Sequence, residues 1–270
     1  MNIRGIFRKT SPMTEKEAGD EQTTFGSQGA SVDDWLASTY EVGSPRQRRF
    51  QFIAETFLPG DPKLVLEIGA GLGDFSVYCS TIAPQHTYTV SDLTEGKFEK
   101  YFQKVRDFFK SQHPFAIASF EAEHIPYPDT MFNLVFIRSA VHHLDDPVRA
   151  FAEIYRVLKP EGKIVFFHDP VALDIPIVRE IWKRIYASDA RALGYNEHIY
   201  MVREYLSFGN AFRERSANLD MVYQDEFRIH SQKWRGIKGS IGKFLSQHPR
   251  LLSMFFIYEY GMPYYFVFSK

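Results

Sequence analysis

Three glycines at alternate positions mark the place where this chain can do chemistry. They lie in Val65-Leu-Glu-Ile-Gly69-Ala-Gly71-Leu-Gly73-Asp-Phe-Ser76. Glycine lets the backbone turn sharply and lets a ligand approach it closely. A nucleotide-type cofactor is the ordinary occupant of such a turn, at the carboxyl end of a strand. Two details narrow the choice. The spacing is Gly-x-Gly-x-Gly, and Asp74 stands where a dinucleotide fingerprint requires its third glycine. Glu67 precedes the first glycine by two positions. A carboxylate there suits a cofactor with a positive amino-acid head group better than a pyrophosphate.

These residues need a scaffold, and the flanking pattern supplies one. Leu64–Ile68, Thr87–Ser91, Phe115–Phe120, Phe132–Ile137 and Lys163–Phe167 read as strands. Asp74–Ala83, Gly96–Ser111 and Pro147–Leu158 between them have helical spacing, with Phe151, Ile154, Tyr155 and Leu158 on one stripe. Alternating strand and helix predicts a mostly parallel sheet with helices on both faces. Right-handed crossovers fix its hand. Ahead of the first strand, Ser31 is a candidate N-cap, and a second helix is expected through Arg46–Phe57, burying Phe50, Ile53, Ala54 and Phe57. Beyond residue 170, Ile177–Ala187 reads as helix, Val202–Leu206 as a helix start, Asp225–Ser231 as an edge strand and Pro263–Ser269 as a closing strand.

In order and spacing, four stretches resemble the class I S-adenosylmethionine (SAM)-dependent methyltransferases, and most of all the type 11 subgroup that includes ubiquinone- and menaquinone-type enzymes. They are the glycine turn, Val90-Ser-Asp92-Leu93, Glu121-Ala-Glu-His-Ile-Pro-Tyr-Pro-Asp-Thr-Met-Phe-Asn133, and Leu158-Lys-Pro-Glu-Gly-Lys163. The resemblance covers roughly residues 60–170. It departs from the family pattern at Glu121 and Asn133, where Asp is usual. The fold class expected is therefore α/β: a doubly wound, Rossmann-like, mostly parallel seven-stranded sheet with an antiparallel last strand.

The resemblance implies SAM as cofactor, bound by Glu67, Gly69, Ala70, Gly71, Gly73, Asp92, Leu93, Glu121, Ala122 and Arg138. Asp92 is implied to hold the ribose, Leu93 to pack on adenine, and Glu121 with Ala122 to lie at the adenine edge. Arg138 lines the methionine end, with Glu67 as a possible ionic partner. Methyl transfer from a sulfonium needs mainly alignment and exclusion of water. A base is needed only if the acceptor must lose a proton. His142 and His143 follow the fourth strand and are the catalytic candidates on the acceptor side. His168-Asp169 follows the fifth strand, where capping of the strand end is the plainer reading.

The whole chain sets outer bounds. It has 270 residues, 44% of them hydrophobic, and a formal net charge of −1. No global field draws it to nucleic acid or to an anionic membrane. The single cysteine, Cys79, permits no internal disulfide, and no metal site is expected. No run reaches the ~18 apolar residues of a membrane span, and no signal-peptide core is seen. A cytoplasmic protein is expected. Residues 1–30 read as a flexible tail, and 31–270 as one domain: lid helices over 31–60, a cofactor core over 61–170 and an acceptor-side part over 171–270. Arg46, Arg48 and Arg49 read either as a solvated helix face or as part of that lid. The basic, aromatic stretch 232–260 can serve peripheral membrane contact or a long apolar acceptor. The acceptor is expected to be a small molecule, lipid-like or aromatic. Two other readings stand beside this one, a non-catalytic scaffold of the same fold and an NAD(P)-dependent oxidoreductase. The sequence leaves the oligomeric state open.

Overall fold

The computed structural model describes residues 32–93, 95–172, 198–220 and 264–270, with a few single positions between them. Two helices come first, α1 (Val32–Thr39) and α2 (Pro45–Phe57). Ser44 caps α2 by accepting from the Gln47 amide at 3.3 Å, and Pro45 occupies the first turn, where its missing N–H costs nothing. Phe50, Ile53 and Ala54 are buried at their helical spacing, and Phe57 packs against the same cluster.

The alternation then runs β1 (Leu64–Ile68), α3 (Asp74–Ile82), β2 (Thr87–Ser91), α4 (Glu95–Phe109), β3 (Phe115–Ala118), β4 (Phe132–Arg138), α5 (Pro147–Val157) and β5 (Leu158–Phe167). A short pair β6 (Val171–Ala172) and β7 (Tyr200–Met201) follows, then α6 (Val202–Phe208), β8 (Glu214–Leu219) and β9 (Tyr264–Ser269). The main sheet has seven strands in the order β3-β2-β1-β4-β5-β9-β8. Strands β1 to β5 pair in parallel, and β9 runs antiparallel to both β5 and β8. The expected α/β class with an antiparallel last strand is what the chain adopts.

Two apolar layers sandwich the sheet. One joins α1, α2, α3 and α4 through Leu36, Phe50, Phe75 and Val105; the other joins α5 and α6 through Phe151, Ile154 and Tyr205. Residues of β4 alternate between them, with Leu134 and Phe136 on one side and Val135 and Ile137 on the other. The order reverses between β1 and β4, which opens a crevice at their carboxyl ends.

Some elements differ from the sequence expectation. The fifth strand starts at Leu158, because Phe132 pairs with Leu158 across an irregularity before the regular register resumes at Leu134–Lys163. Strand β8 was not anticipated. Its sequence, Glu-Arg-Ser-Ala-Asn-Leu, lacks an apolar alternation, and its pairing with β9 makes it an edge strand. Ser31, most of Ile177–Ala187, the edge strand expected at Asp225–Ser231 and most of 232–260 lie outside the described residues. Among the described residues no helix is long and apolar enough to cross a membrane. Nor does any group of three His, Cys, Asp or Glu residues gather there as a metal site would require.

Candidate active site

The turn from β1 into α3 is built by three left-handed glycines: Gly69 (φ 64°), Gly71 (φ 60°) and Gly73 (φ 72°). They do different jobs. A Cβ on Gly69 would stand 2.6 Å from the Ala140 Cβ, so this glycine lets the turn pack against the loop after β4. A Cβ on Gly71 would meet nothing within 4 Å. Gly71 borders open space, which is where a ligand would lie against the backbone. Ala70 is buried beneath the turn, and its amide donates to the Ser91 carbonyl at 3.0 Å.

The rim of this space comes from the neighbouring strand ends. Asp92, just past β2, accepts the Gly71 amide on Oδ2 at 2.7 Å and fixes the turn. Leu93 is 54% exposed, an apolar side chain standing free at a strand end. After β3, Ala122 is buried, and exposed Glu121 pairs with His124 at 3.5 Å. That segment is clamped from α5 by Arg156. Its guanidinium donates to both Glu153 carboxylate oxygens, to the carbonyls of Ile125 and Tyr127 and to Asp129 Oδ1, each at 2.8 Å. A planar fork with five donors can satisfy so many acceptors at once.

Glu67 is fully buried at the end of β1. Its Oε2 accepts from the Ser76 amide at 3.1 Å and from the Ser76 hydroxyl, while Oε1 has no partner among the described residues. Burial pushes its pKa up to about 7, against the opposing pull of Arg138 and the Ser76 hydroxyl. The expected Arg138–Glu67 ion pair does not form. Arg138 donates instead to Asp74 Oδ1, from Nη2 at 2.7 Å. Asp74 also accepts from the Tyr40 hydroxyl and lies 3.6 Å from Arg46 Nε. Burial alone would raise the Asp74 pKa, but Arg138 and Arg46 hold it below its usual value.

Two guanidiniums therefore share one carboxylate beside the glycine turn. The Arg46 guanidinium sits 4.9 Å from the Trp35 ring centroid, within cation–π range, and Arg49 is buried in an ion pair with Asp220. The solvated-face reading of this arginine run therefore fails at Arg46 and Arg49. Both reach inward and tie α2 to the rest of the site.

On the far side of the crevice, a short 3-10 turn over Val141–His143 follows β4. His142 is buried and His143 exposed, their ring centroids 3.9 Å apart. The His142 amide and ring Nδ1 both meet Asp169 Oδ1, at 3.1 and 2.7 Å. Ser139 (φ 51°) and His168 (φ 64°) end β4 and β5 in left-handed conformations unusual for non-glycine residues. They are joined side by side, Ser139 Oγ lying 2.6 Å from His168 Nδ1 and 2.9 Å from the His168 carbonyl.

The structure thus brings Glu67, Gly69, Ala70, Gly71, Gly73, Asp92, Leu93, Glu121, Ala122, Arg138 and the His142–His143 pair to one edge of the sheet. Sequence reasoning missed Tyr40 and took Asp74 only as a missing glycine. It also gave Asp169 no tie to His142. The only sequence signal for these is a polar residue beside a strand end or glycine turn, and that alone names no partner.

Residues 66–166 match a family model described as a methyltransferase domain. Over 168 residues the chain is 27% identical to a demethylmenaquinone methyltransferase of Lactobacillus johnsonii, covering 60% of this chain and 67% of that protein. Over 133 residues it is 30% identical to a malonyl-[acyl-carrier protein] O-methyltransferase of Geobacter sulfurreducens, covering 48% of each. The chain thus spans about half to two thirds of the length of these curated relatives. A solved structure of Haemonchus contortus phosphoethanolamine N-methyltransferase 2, in complex with S-adenosyl-L-methionine, shares the fold at 14% identity. Its TM-score is 0.59, with 98% of this chain and 60% of that one covered.

Proposed function

We propose that this chain, whose residues 66–166 match a methyltransferase-domain model, binds SAM and transfers the methyl group to a small-molecule acceptor, lipid-like or aromatic. The observation that carries this reading is the open space over Gly71, whose amide the Asp92 carboxylate accepts.

The residues present fit that cofactor. Asp92 accepts hydrogen bonds from ribose hydroxyls while holding the Gly71 amide. Leu93 and Ala122 offer apolar contact to adenine, with Glu121 at its edge. The turn Gly69–Gly73 lets the backbone lie against the ligand. Oε1 of Glu67, without a partner among the described residues, suits the ammonium of an amino-acid head group. Arg138 lines the same end, with its Nε buried and lacking a partner among the described residues. When bound, SAM supplies an activated methyl group. The chain's own work is to orient the acceptor against it and to keep water out. His142 and His143, on the loop after β4, face the acceptor side.

Calorimetric titration with SAM tests the proposal. Wild-type protein is expected to bind, and Gly71→Arg and Asp92→Ala each to lose binding. Unchanged affinity in both variants would sink it. Three acceptor chemistries among the relatives leave the identity of this chain's acceptor to experiment. Methyl-labelled SAM incubated with the protein and a cell extract would show which fraction gains label.

A further inference from the structure

His142 and Asp169 are joined across the acceptor rim in a way that fixes a proton. Asp169 Oδ1 meets the His142 ring at Nδ1, 2.7 Å away, and accepts the His142 amide at 3.1 Å. An ionised carboxylate only accepts, so Nδ1 carries hydrogen and the neutral ring keeps its lone pair on Nε2. Nε2 has no hydrogen-bond partner among the described residues, and the His142 side chain retains 10% of its surface exposed. Asp169 is 1% exposed, and its Oδ2 is buried with no partner among the described residues. A carboxylate left half-satisfied is costly. A capped strand end does not require one, since a neutral side chain would cap at lower cost.

The surroundings serve the same geometry. The Ser139–His168 link locks together the two strand ends that carry His142 and Asp169. Two non-glycine residues are held left-handed to do it, a strained conformation that such residues rarely adopt. Arg138 is next to Ser139, and its buried Nε lacks a partner among the described residues. His168 is held well below its usual pKa by burial and then by Arg49, Arg138 and Arg46.

We propose that His142 takes a proton from the acceptor, that Asp169 is its positioning residue, and that the acceptor belongs to the class that must lose a proton: a hydroxyl, an enol or an acidic C–H. This rests on the methyltransferase reading above. In the step, the acceptor's X–H bond breaks, its electron pair stays on X, and the proton goes to His142 Nε2. X then bonds to the methyl carbon as the carbon–sulfur bond breaks, with that pair remaining on sulfur. The proton passes from Nε2 to solvent.

Long-range proton–nitrogen spectra of protein labelled with 15N-histidine test the dyad without any acceptor. At a pH where the ring is neutral, His142 is expected as the Nδ1–H tautomer, identified by its disappearance in His142→Gln. Asp169→Ala, which removes the acceptor, is expected to release the ring toward Nε2–H. An Nε2–H ring in the wild type, or an unchanged tautomer in Asp169→Ala, overturns the proposal. Label transfer from methyl-tritiated SAM into the small-molecule fraction of a cell extract tests the catalytic role. His142→Gln should bind S-adenosylhomocysteine normally yet transfer label about 100-fold or more slowly, the usual worth of a positioned base. Transfer at the wild-type rate overturns the role. If wild-type protein binds no SAM, the methyltransferase reading itself falls, and the tautomer spectra still report on the dyad separately.

Discussion

Lowering the pH from about 8 to about 6 should weaken the Glu67 contribution to SAM binding roughly tenfold, or about fourfold net of the ligand amine's own titration. The carboxyl is fully buried, its Oε1 lacks a partner among the described residues, and burial raises its pKa to about 7. An ammonium brought to Oε1 favours the ionised form and pulls that pKa down. Below pH 7 the free protein holds a proton that binding must expel, so affinity scales as 1/(1 + 10^(pKa − pH)) on the acid side. Between about pH 8 and pH 6 this factor changes about tenfold, or about 1.4 kcal/mol. Near pH 7, binding should release about half a proton from this group, read by calorimetry in buffers of different ionisation enthalpy. The ligand's own α-amino group titrates near ~7.7–8.0 and sets the alkaline limb. Glu67→Gln separates the two, because glutamine can still accept from Ser76 but cannot titrate. The variant should lose the acid limb and keep the alkaline one. Without ligand, the sign reverses. An acid with a raised folded pKa is destabilising once ionised, so Glu67→Gln should melt higher than wild type at about pH 8. An acid limb that persists in Glu67→Gln would refute this reasoning.

Two further outcomes follow from packing. Gly69→Ala puts a methyl 2.6 Å from the Ala140 Cβ at a φ of 64°, and overpacking with left-handed strain should cost about 2–5 kcal/mol, seen as a lowered denaturation midpoint; an unchanged midpoint would show that the loop after β4 yields freely. Arg156→Lys leaves one ammonium to replace a five-donor fork, so stability should fall by about 2–3 kcal/mol. SAM affinity should fall with it, because the clamped segment carries Glu121 and Ala122; calorimetry and thermal melts check both.

The legible parts of this protein were the local ones. The glycine turn, the strands from Leu64 to Phe167 and the closing strand near Tyr264–Ser269 each carry their signal within a dozen residues. Charge pairing was not legible. Arg138 meets Asp74 across 64 positions, Tyr40 meets Asp74 across 34, and Arg49 meets Asp220 across 171. Nothing near these residues specifies such partners, because topology brings them together. Arg138 was placed near an acid correctly in kind, but the acid is Asp74, which opens α3 toward β4, and Glu67 is instead occupied by Ser76. Strand β8 was hidden for the converse reason: its ladder with β9 needs backbone groups, which any sequence supplies.

The shared carboxylate of Asp74 bears on what counts as a unit of this protein. The region matched by the family model begins at residue 66, yet Asp74 takes its hydroxyl donor from Tyr40 and one of its two cations from Arg46. Phe50 packs edge-on against Phe75 at 4.9 Å in the same place. A fragment starting at the matched region would leave a buried anion short of donors and an aromatic face bare. The matched region and the packed unit are therefore different objects: residues ahead of position 66 complete the electrostatics of Asp74 and Arg138.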